Sequence, residues 1–435
     1  MVAQPLALFR RHQTFVRDVA TLITGKAAAV LVNFLSMPIV ARLFEPEDFG
    51  VGALFVSLIT IAATLATLSW ERSVVIAKGD AEARSLCKLA TSSLLGSCGL
   101  LWLSALACIA LGLQVPFSDK LGVWIWVLPI GLMLLGLSQV ADSWLTRAKQ
   151  YRTIASADFL STVITSASRI GTGLLGSSVW GVISSYVLGK VAELLFVLSV
   201  IRPWKLPKLA SDERPKLRDV AARNKDFPLY SAPNAFVRIM SQELPTVMLA
   251  LMFSPAVVGF YAMASKLARL PLNLSLQALQ RVFLQRLAEI MHAGRPIAPA
   301  YTKITVTLAA LAFVPFLLLW LVADTLLVIF LGPKWEVAGH YVVILVPWLY
   351  ALWISNPAGT VMTVLRKQAL LLRVQILLAI ARLAVFAVAY KVSASPEATL
   401  QAFVAVSALA GFGSVLTTYV IVRRADRQRS GPITE

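Results

Sequence analysis

Apolar stretches of about 20 residues, one after another along most of the chain, fix what this sequence can fold into. A helix of that length crosses the hydrocarbon core of a bilayer. In lipid every backbone N–H and C=O must be satisfied within a helix or a closed barrel. A barrel would alternate apolar and polar residues, and these runs do not. The 435-residue chain is 58% hydrophobic and 14% charged, whereas soluble chains carry about a quarter charged residues. Mean hydropathy is +0.76. The chain therefore reads as an all-α polytopic membrane protein.

The runs predict 12 spans: 19–41, 49–70, 86–112, 121–144, 155–176, 179–200, 228–252, 255–282, 304–331, 338–363, 369–390 and 400–422. Charge tests the order. Of the 40 Lys and Arg residues, 29 fall in loops, tails and span ends on the N-terminal side, four (Arg42, Lys120, Lys334, Lys391) on the other, and seven deep inside spans. Cations accumulate in cytoplasmic loops, so both termini are expected to be cytoplasmic. The same rule accounts for the net charge of +18 without a nucleic-acid partner, and none is expected.

A duplicated corner organises the spans. Phe44-Glu45-Pro46-Glu47-Asp48-Phe49-Gly50 returns, 209 residues later, as Phe253-Ser254-Pro255-Ala256-Val257-Val258-Gly259. Both read Phe-x-Pro-x-x-x-Gly between apolar runs. An offset near half the chain and an even number of spans per half predict two six-helix lobes of like orientation. The expected units are an N-terminal lobe over 1–201, a basic cytoplasmic linker over 202–226, a C-terminal lobe over 227–422 and a basic cytoplasmic tail over 423–435. The linker and the other basic loops are expected to touch anionic lipid headgroups.

The cations deep inside spans are Lys26, Arg169, Lys190, Arg238, Lys266, Arg269 and Arg382. Each costs ~2.5–3.5 kcal/mol at a helix centre facing lipid, so they are expected to face a wet interior. Spacing agrees. Lys266, Arg269, Asn273, Gln277 and Gln280 share one helical face. Asp158, Thr162, Thr165, Arg169 and Thr172 share another, and Asn234, Arg238 and Gln242 step by four. Ser57, Thr60, Thr64, Thr67 and Glu71 form a hydroxyl stripe that is equally well explained by helix packing.

A cationic cavity suits an anion, since arginine forks match phosphate oxygens and lysine acts as a point charge. The candidate substrate-binding residues are thus Lys26, Arg169, Lys190, Arg238, Lys266, Arg269, Asn273, Gln277 and Arg382. Glu193, three residues after Lys190, reads as an intrahelical ion-pair partner. Glu243 has no such partner in sequence. Both are candidates for coupling a proton or another cation.

Catalysis is not expected. Walker loops, HExxH and GxSxG are missing, and no hydrophilic segment is long enough for a catalytic domain. Cys87, Cys98 and Cys108 lie in one apolar run, so neither a disulfide, a metal site nor a cofactor is expected.

Several stretches carry a resemblance. Leu31-Val32-Asn33-Phe34-Leu35-Ser36-Met37-Pro38 with the following 41–50 segment resembles the opening of the Wzx-type polysaccharide biosynthesis flippases. Leu68-Ser69-Trp70-Glu71-Arg72-Ser73, Lys225-Asp226-Phe227-Pro228-Leu229-Tyr230-Ser231-Ala232-Pro233, Gly259-Phe260-Tyr261 and Trp335-Glu336-Val337-Ala338-Gly339 fit in order and spacing. The resemblance spans nearly the whole chain. It implies the fold of the multidrug and oligosaccharidyl-lipid exporter superfamily, MATE-like, with two six-helix lobes around a central cationic cavity. It also implies a bacterial inner-membrane flippase for O-antigen, capsule, lipopolysaccharide or exopolysaccharide synthesis. Its substrate would be undecaprenyl-pyrophosphate-linked oligosaccharide, moved from the cytoplasmic to the periplasmic leaflet by alternating access. H+ or Na+ and the polysaccharide polymerase machinery are further candidate partners. The alternatives are an ion-coupled exporter of another anionic or amphipathic substrate and a membrane enzyme acting on lipid-linked sugars.

Overall fold

The computed structural model describes residues 25–176, 178–202, 215–293, 295–365 and 367–430. Regular structure among them is helical. Helix α1 (Gly25–Leu43) leads to α2 (Pro46–Ala66), α3 (Trp70–Ile76), α4 (Asp80–Ala110), α5 (Ser118–Leu121), α6 (Leu128–Arg147), α7 (Tyr151–Leu174) and α8 (Val179–Ile201). After the short α9 (Leu217–Arg223) come α10 (Ala232–Met252), α11 (Pro255–His292), α12 (Ala298–Leu331), α13 (Glu336–Val364), α14 (Gln368–Ser393) and α15 (Pro396–Ser430).

Each expected span meets a long helix. Among the described residues, ten helical stretches are long and apolar enough to cross a bilayer, which makes this a multi-pass membrane protein. Outside that set, the two long helices among the described residues are α7 and α11. These carry the Asp158–Thr172 and Lys266–Gln280 polar stripes, which lower their apolarity.

Both Phe-x-Pro sequences are helix–helix corners. Pro46 opens α2 in the first turn, where its missing N–H is not needed. The Glu45 side chain accepts from the Asp48 N–H, and Asp48 Oδ2 accepts from the Glu45 N–H at 3.1 Å, a capping box. Phe44 is buried and meets Phe49 edge-on. It fits because Gly173 and Gly181 lack a Cβ; one there would lie 2.8 Å from its ring. The second corner joins α10 to α11, with Phe253 edge-on to Tyr390 at 5.3 Å.

The chain divides into two compact units, Met1–Glu243 and Leu244–Glu435. The division falls inside α10, just before Pro245, which cannot donate to the helical ladder. It lies downstream of the 202–226 linker expected from sequence, and the described end of that linker is packed into the first unit. Val220 of α9 is fully buried with Trp70, Val74, Ala83, Leu86, Ala90 and Val140. Asn224 donates to Glu82 Oε1 at 3.3 Å.

In the first unit, α6 packs against α2, α3, α4 and α8, and α7 lies along α8. A Cβ at Gly189 would fall on the Thr165 hydroxyl, so glycine sets how closely α7 and α8 approach. The second span is broken between α2 and α3. Leu68 and Ser69 are left-handed, with φ of 51° and 55°. For non-glycine residues each costs on the order of 1–3 kcal/mol. Burial of Trp70 and Val74 directly beyond the break holds it.

In the second unit, α13 packs against α11, α12 and α15. Phe260 meets Trp335 and Tyr341 edge-on, at 6.1 and 6.4 Å. Asp426 of α15 caps α12, accepting from the Ile297 N–H at 3.0 Å and the Ala298 N–H at 2.8 Å.

Candidate functional site

Charged residues inside the first unit gather from four helices. Lys26 of α1 approaches Asp158 of α7 at 4.0 Å. Lys190 and Glu193, one turn apart on α8, pair at 2.7 Å, and Glu193 is only 3% exposed. Asp142 of α6 lies within the electrostatic reach of all four. Two lysines therefore meet three carboxylates. Glu193 is the intrahelical partner of Lys190 that the spacing indicated. Asp142 and Asp158, by contrast, lie near the ends of the 121–144 and 155–176 spans, and helix packing brings them to the lysines. A wet cavity is thus not the sole means of accommodating Lys26 and Lys190.

Arg169 is also held inside this unit. Its Nε donates to Ser185 Oγ at 3.1 Å, its Nη2 to the Val182 carbonyl at 3.4 Å, and its guanidinium lies 5.9 Å from the Phe49 ring. These contacts tie α7 to α8 and to the first Phe-x-Pro corner. Arg238 is exposed on α10, with Asn234 and Gln242 exposed on the same face and Arg72 within electrostatic reach. Glu243 accepts a 2.6 Å hydrogen bond from Ser57 Oγ. The hydroxyl stripe of the second span thereby supplies the partner that Glu243 lacked in sequence.

The second unit holds a different arrangement. The Arg269 guanidinium of α11 lies 4.9 Å from the Trp348 ring of α13. Arg382 of α14 lies 5.9 Å from the same ring and 5.4 Å from Phe403 of α15. Arg382 Nε donates to Ser407 Oγ at 2.9 Å. A cation over an aromatic face gains about 0.5–2 kcal/mol, which offsets part of the ~2.5–3.5 kcal/mol cost of a charge in the membrane. Arg269 Nε is buried with no hydrogen-bond partner among the described residues. Lys266 stands exposed one turn before Arg269. The side chains of Asn273 and Gln277, further along α11, lie outside the described residues. Sequence reasoning missed Trp348, because a tryptophan in an apolar run reads as core.

Chemically, the arginine pair can receive an anion. Guanidinium orientation is set by stacking and by Ser407, and planar forks match phosphate oxygens. Two apolar cavities lie elsewhere. One of about 340 Å³ is lined by Leu58, Trp102, Cys108 and Phe117, and one of about 190 Å³ by Phe313, Trp320 and Tyr350. Neither has a charged lining residue, so both are separate from the cations.

Comparison with known proteins agrees with this architecture. The sequence profile of the family described as polysaccharide biosynthesis protein matches residues 39–339. The succinoglycan biosynthesis transport protein ExoT of Rhizobium meliloti (strain 1021) is 22% identical over 338 residues. The match covers 75% of this chain and 64% of that relative, so the chain spans a little under two thirds of its length. Among solved structures, the lipid II flippase MurJ in an inward closed conformation aligns with a TM-score of 0.70 at 11% identity, over 94% of this chain and 89% of that one. An inward-facing multidrug resistance MATE family transporter of the MOP superfamily aligns with a TM-score of 0.65 at 14% identity, over 94% and 96%. The chain belongs to the polysaccharide biosynthesis protein family, and it shares its fold with these MurJ and MATE structures.

Proposed function

We propose that this protein is a flippase that moves undecaprenyl-pyrophosphate-linked oligosaccharide from the cytoplasmic to the periplasmic leaflet of a bacterial inner membrane. Twelve spans, cytoplasmic termini and alternating access belong to the same reading. The observation that carries it is the placement of Arg269 and Arg382 on Trp348, with Lys266 one turn away. Arginines oriented by an indole suit a pyrophosphate, whose oxygens accept from more than one fork. The other span cations, Lys26, Arg169, Lys190 and Arg238, assist at the pyrophosphate or at acidic sugars. Asn273 and Gln277 serve sugar hydroxyls. The named roles of ExoT and MurJ support the substrate class. Basic loops on the cytoplasmic side hold anionic lipids, and the polymerase machinery receives the flipped product. The experiment is flipping in proteoliposomes with Arg238→Ala, Lys266→Ala, Arg269→Ala and Arg382→Ala. Wild-type rates in all four, at normal expression, would remove the cationic site.

A second reading, an ion-coupled exporter of another anionic or amphipathic substrate, is favoured by the three carboxylates around Lys26 and Lys190. In either reading Glu193 and Glu243 are the coupling residues for H+ or Na+. Transport of lipid-linked sugar at equal rates with and without an ion gradient would exclude coupling.

A further inference from the structure

The break between α2 and α3 gathers buried oxygen atoms without partners. Thr67 Oγ1, Glu71 Oε2 and Ser138 Oγ are each buried with no hydrogen-bond partner among the described residues. Thr67 is 1%, Ser138 5% and Glu71 8% exposed. Such groups are normally satisfied in a native fold, and an orphaned carboxylate oxygen most of all.

Packing brings the three to one level of the bundle. Gly131 of α6 faces Phe55 and Ile59 of α2. Leu132 clusters with Ala63 and Ala66. Val140 clusters with Trp70 and Val74 beyond the break. Ser138, lying between Leu132 and Val140 on α6, stands at the level of residues 66–70. Backbone adds to the set. The last carbonyls of α2 have no onward helical donor, and the negative end of its dipole points at the break. The Leu65 carbonyl accepts from the N–H groups of Leu68 and Thr67, whereas the Thr67 carbonyl accepts one, from Trp70, and a carbonyl has a second lone pair. Glu71 turns Oε1 toward Arg72, 3.8 Å away, and leaves Oε2 inward.

We propose that this break binds a small monovalent cation, sodium by preference, held by Glu71, Ser138 and the hydroxyl and carbonyl of Thr67. One carboxylate, shared with the half-exposed Arg72 and set among neutral oxygens, suits no more than a single charge. Calcium and magnesium sites draw on more carboxylates or on bound water, and soft metals want nitrogen or sulfur. Unwound helix ends that present carbonyls are a recurring cation ligand in transporters. The left-handed Leu68 and Ser69 hold those ends apart. The site is separate from Glu193 and Glu243 and does not depend on the identity of the transported substrate.

The test is thermal unfolding of the purified full chain, titrated with sodium chloride against choline chloride at constant ionic strength. Sodium raises Tm saturably by a few degrees and choline does not. Glu71→Gln abolishes the response. Thr67→Val and Ser138→Ala each raise the half-saturating sodium concentration, about tenfold for a lost ligand. Identical curves in the two salts overturn the proposal, as does a sodium response that survives Glu71→Gln. If Glu71→Gln does not fold, unchanged half-saturation in both hydroxyl variants overturns it. Stabilisation by acid in place of sodium assigns a proton to Glu71 and also overturns it. Radiolabelled sodium binding to wild type, lost in the variants, supports it.

Discussion

Ser57 Oγ donates a 2.6 Å hydrogen bond to Glu243 Oε2 and so ties α2 to α10. Hydrogen bonds to charged groups contribute about 1.5–3 kcal/mol when shielded, and less with exposure. Ser57→Ala is expected to lower thermal stability by roughly 1 kcal/mol. If Glu243 couples transport to an ion, Glu243→Gln weakens the gradient dependence and Ser57→Ala shifts it the same way. An unchanged response to pH and ions in Glu243→Gln removes Glu243 from coupling.

Lys190 and Glu193 form a pair whose acid is almost wholly enclosed. Removing one partner strands the other, at about 3–5 kcal/mol for a buried pair. Lys190→Met is expected to destabilise more than the double variant Lys190→Met with Glu193→Gln. Denaturant unfolding in mild detergent measures both. Equal losses would mean that Asp142 and Asp158 set the local charge balance without the pair.

Asp426 is the cap of α12, with both carboxylate oxygens engaged. Asp426→Ala should cost about 1–2 kcal/mol, and Asp426→Asn less, since an amide oxygen still accepts. Differential scanning fluorimetry would register the two in that order. No change in either would mean that the α12 N-terminus is satisfied by water.

Gly189→Val should separate α7 from α8, because the new side chain meets the Thr165 hydroxyl and the Ser161 carbonyl. Overpacking of this kind costs about 1–3 kcal/mol. It should also weaken the Arg169–Ser185 contact across the same interface. Lower yield of folded protein in size-exclusion chromatography is the readout, and Thr165→Ala in the same chain should restore part of it.

Much of the fold was legible because it rests on local signals. Run length placed the long helices, and Phe-x-Pro-x-x-x-Gly marked both corners, since proline at a helix start acts within one turn, joined at the first corner by a capping acid. The α2–α3 break was not legible. Neither Leu68 nor Ser69 is a residue that favours left-handed backbone, and the burial of Trp70 and Val74 that holds the break is tertiary. At the candidate sites, sequence singled out the intramembrane cations by their cost. It could not show that Asp142 and Asp158 reach Lys26 and Lys190, or that Arg269 and Arg382 share Trp348. Those relations join helices distant in sequence, and no periodicity within one helix encodes them.

The proposed flipping requires that the arginine pair on Trp348 receive the pyrophosphate. The most direct measurement is the initial rate of flipping of prenyl-pyrophosphate-linked oligosaccharide in proteoliposomes containing wild type, Arg269→Ala, Arg382→Ala or Trp348→Leu, matched for folded protein. Both arginine variants are predicted to slow flipping by about tenfold or more, as loss of a charge-assisted contact worth ~1.5–3 kcal/mol requires. Trp348→Leu should give a smaller loss, because both charges remain but their orientation does not. Wild-type rates in Arg269→Ala and Arg382→Ala would contradict the account.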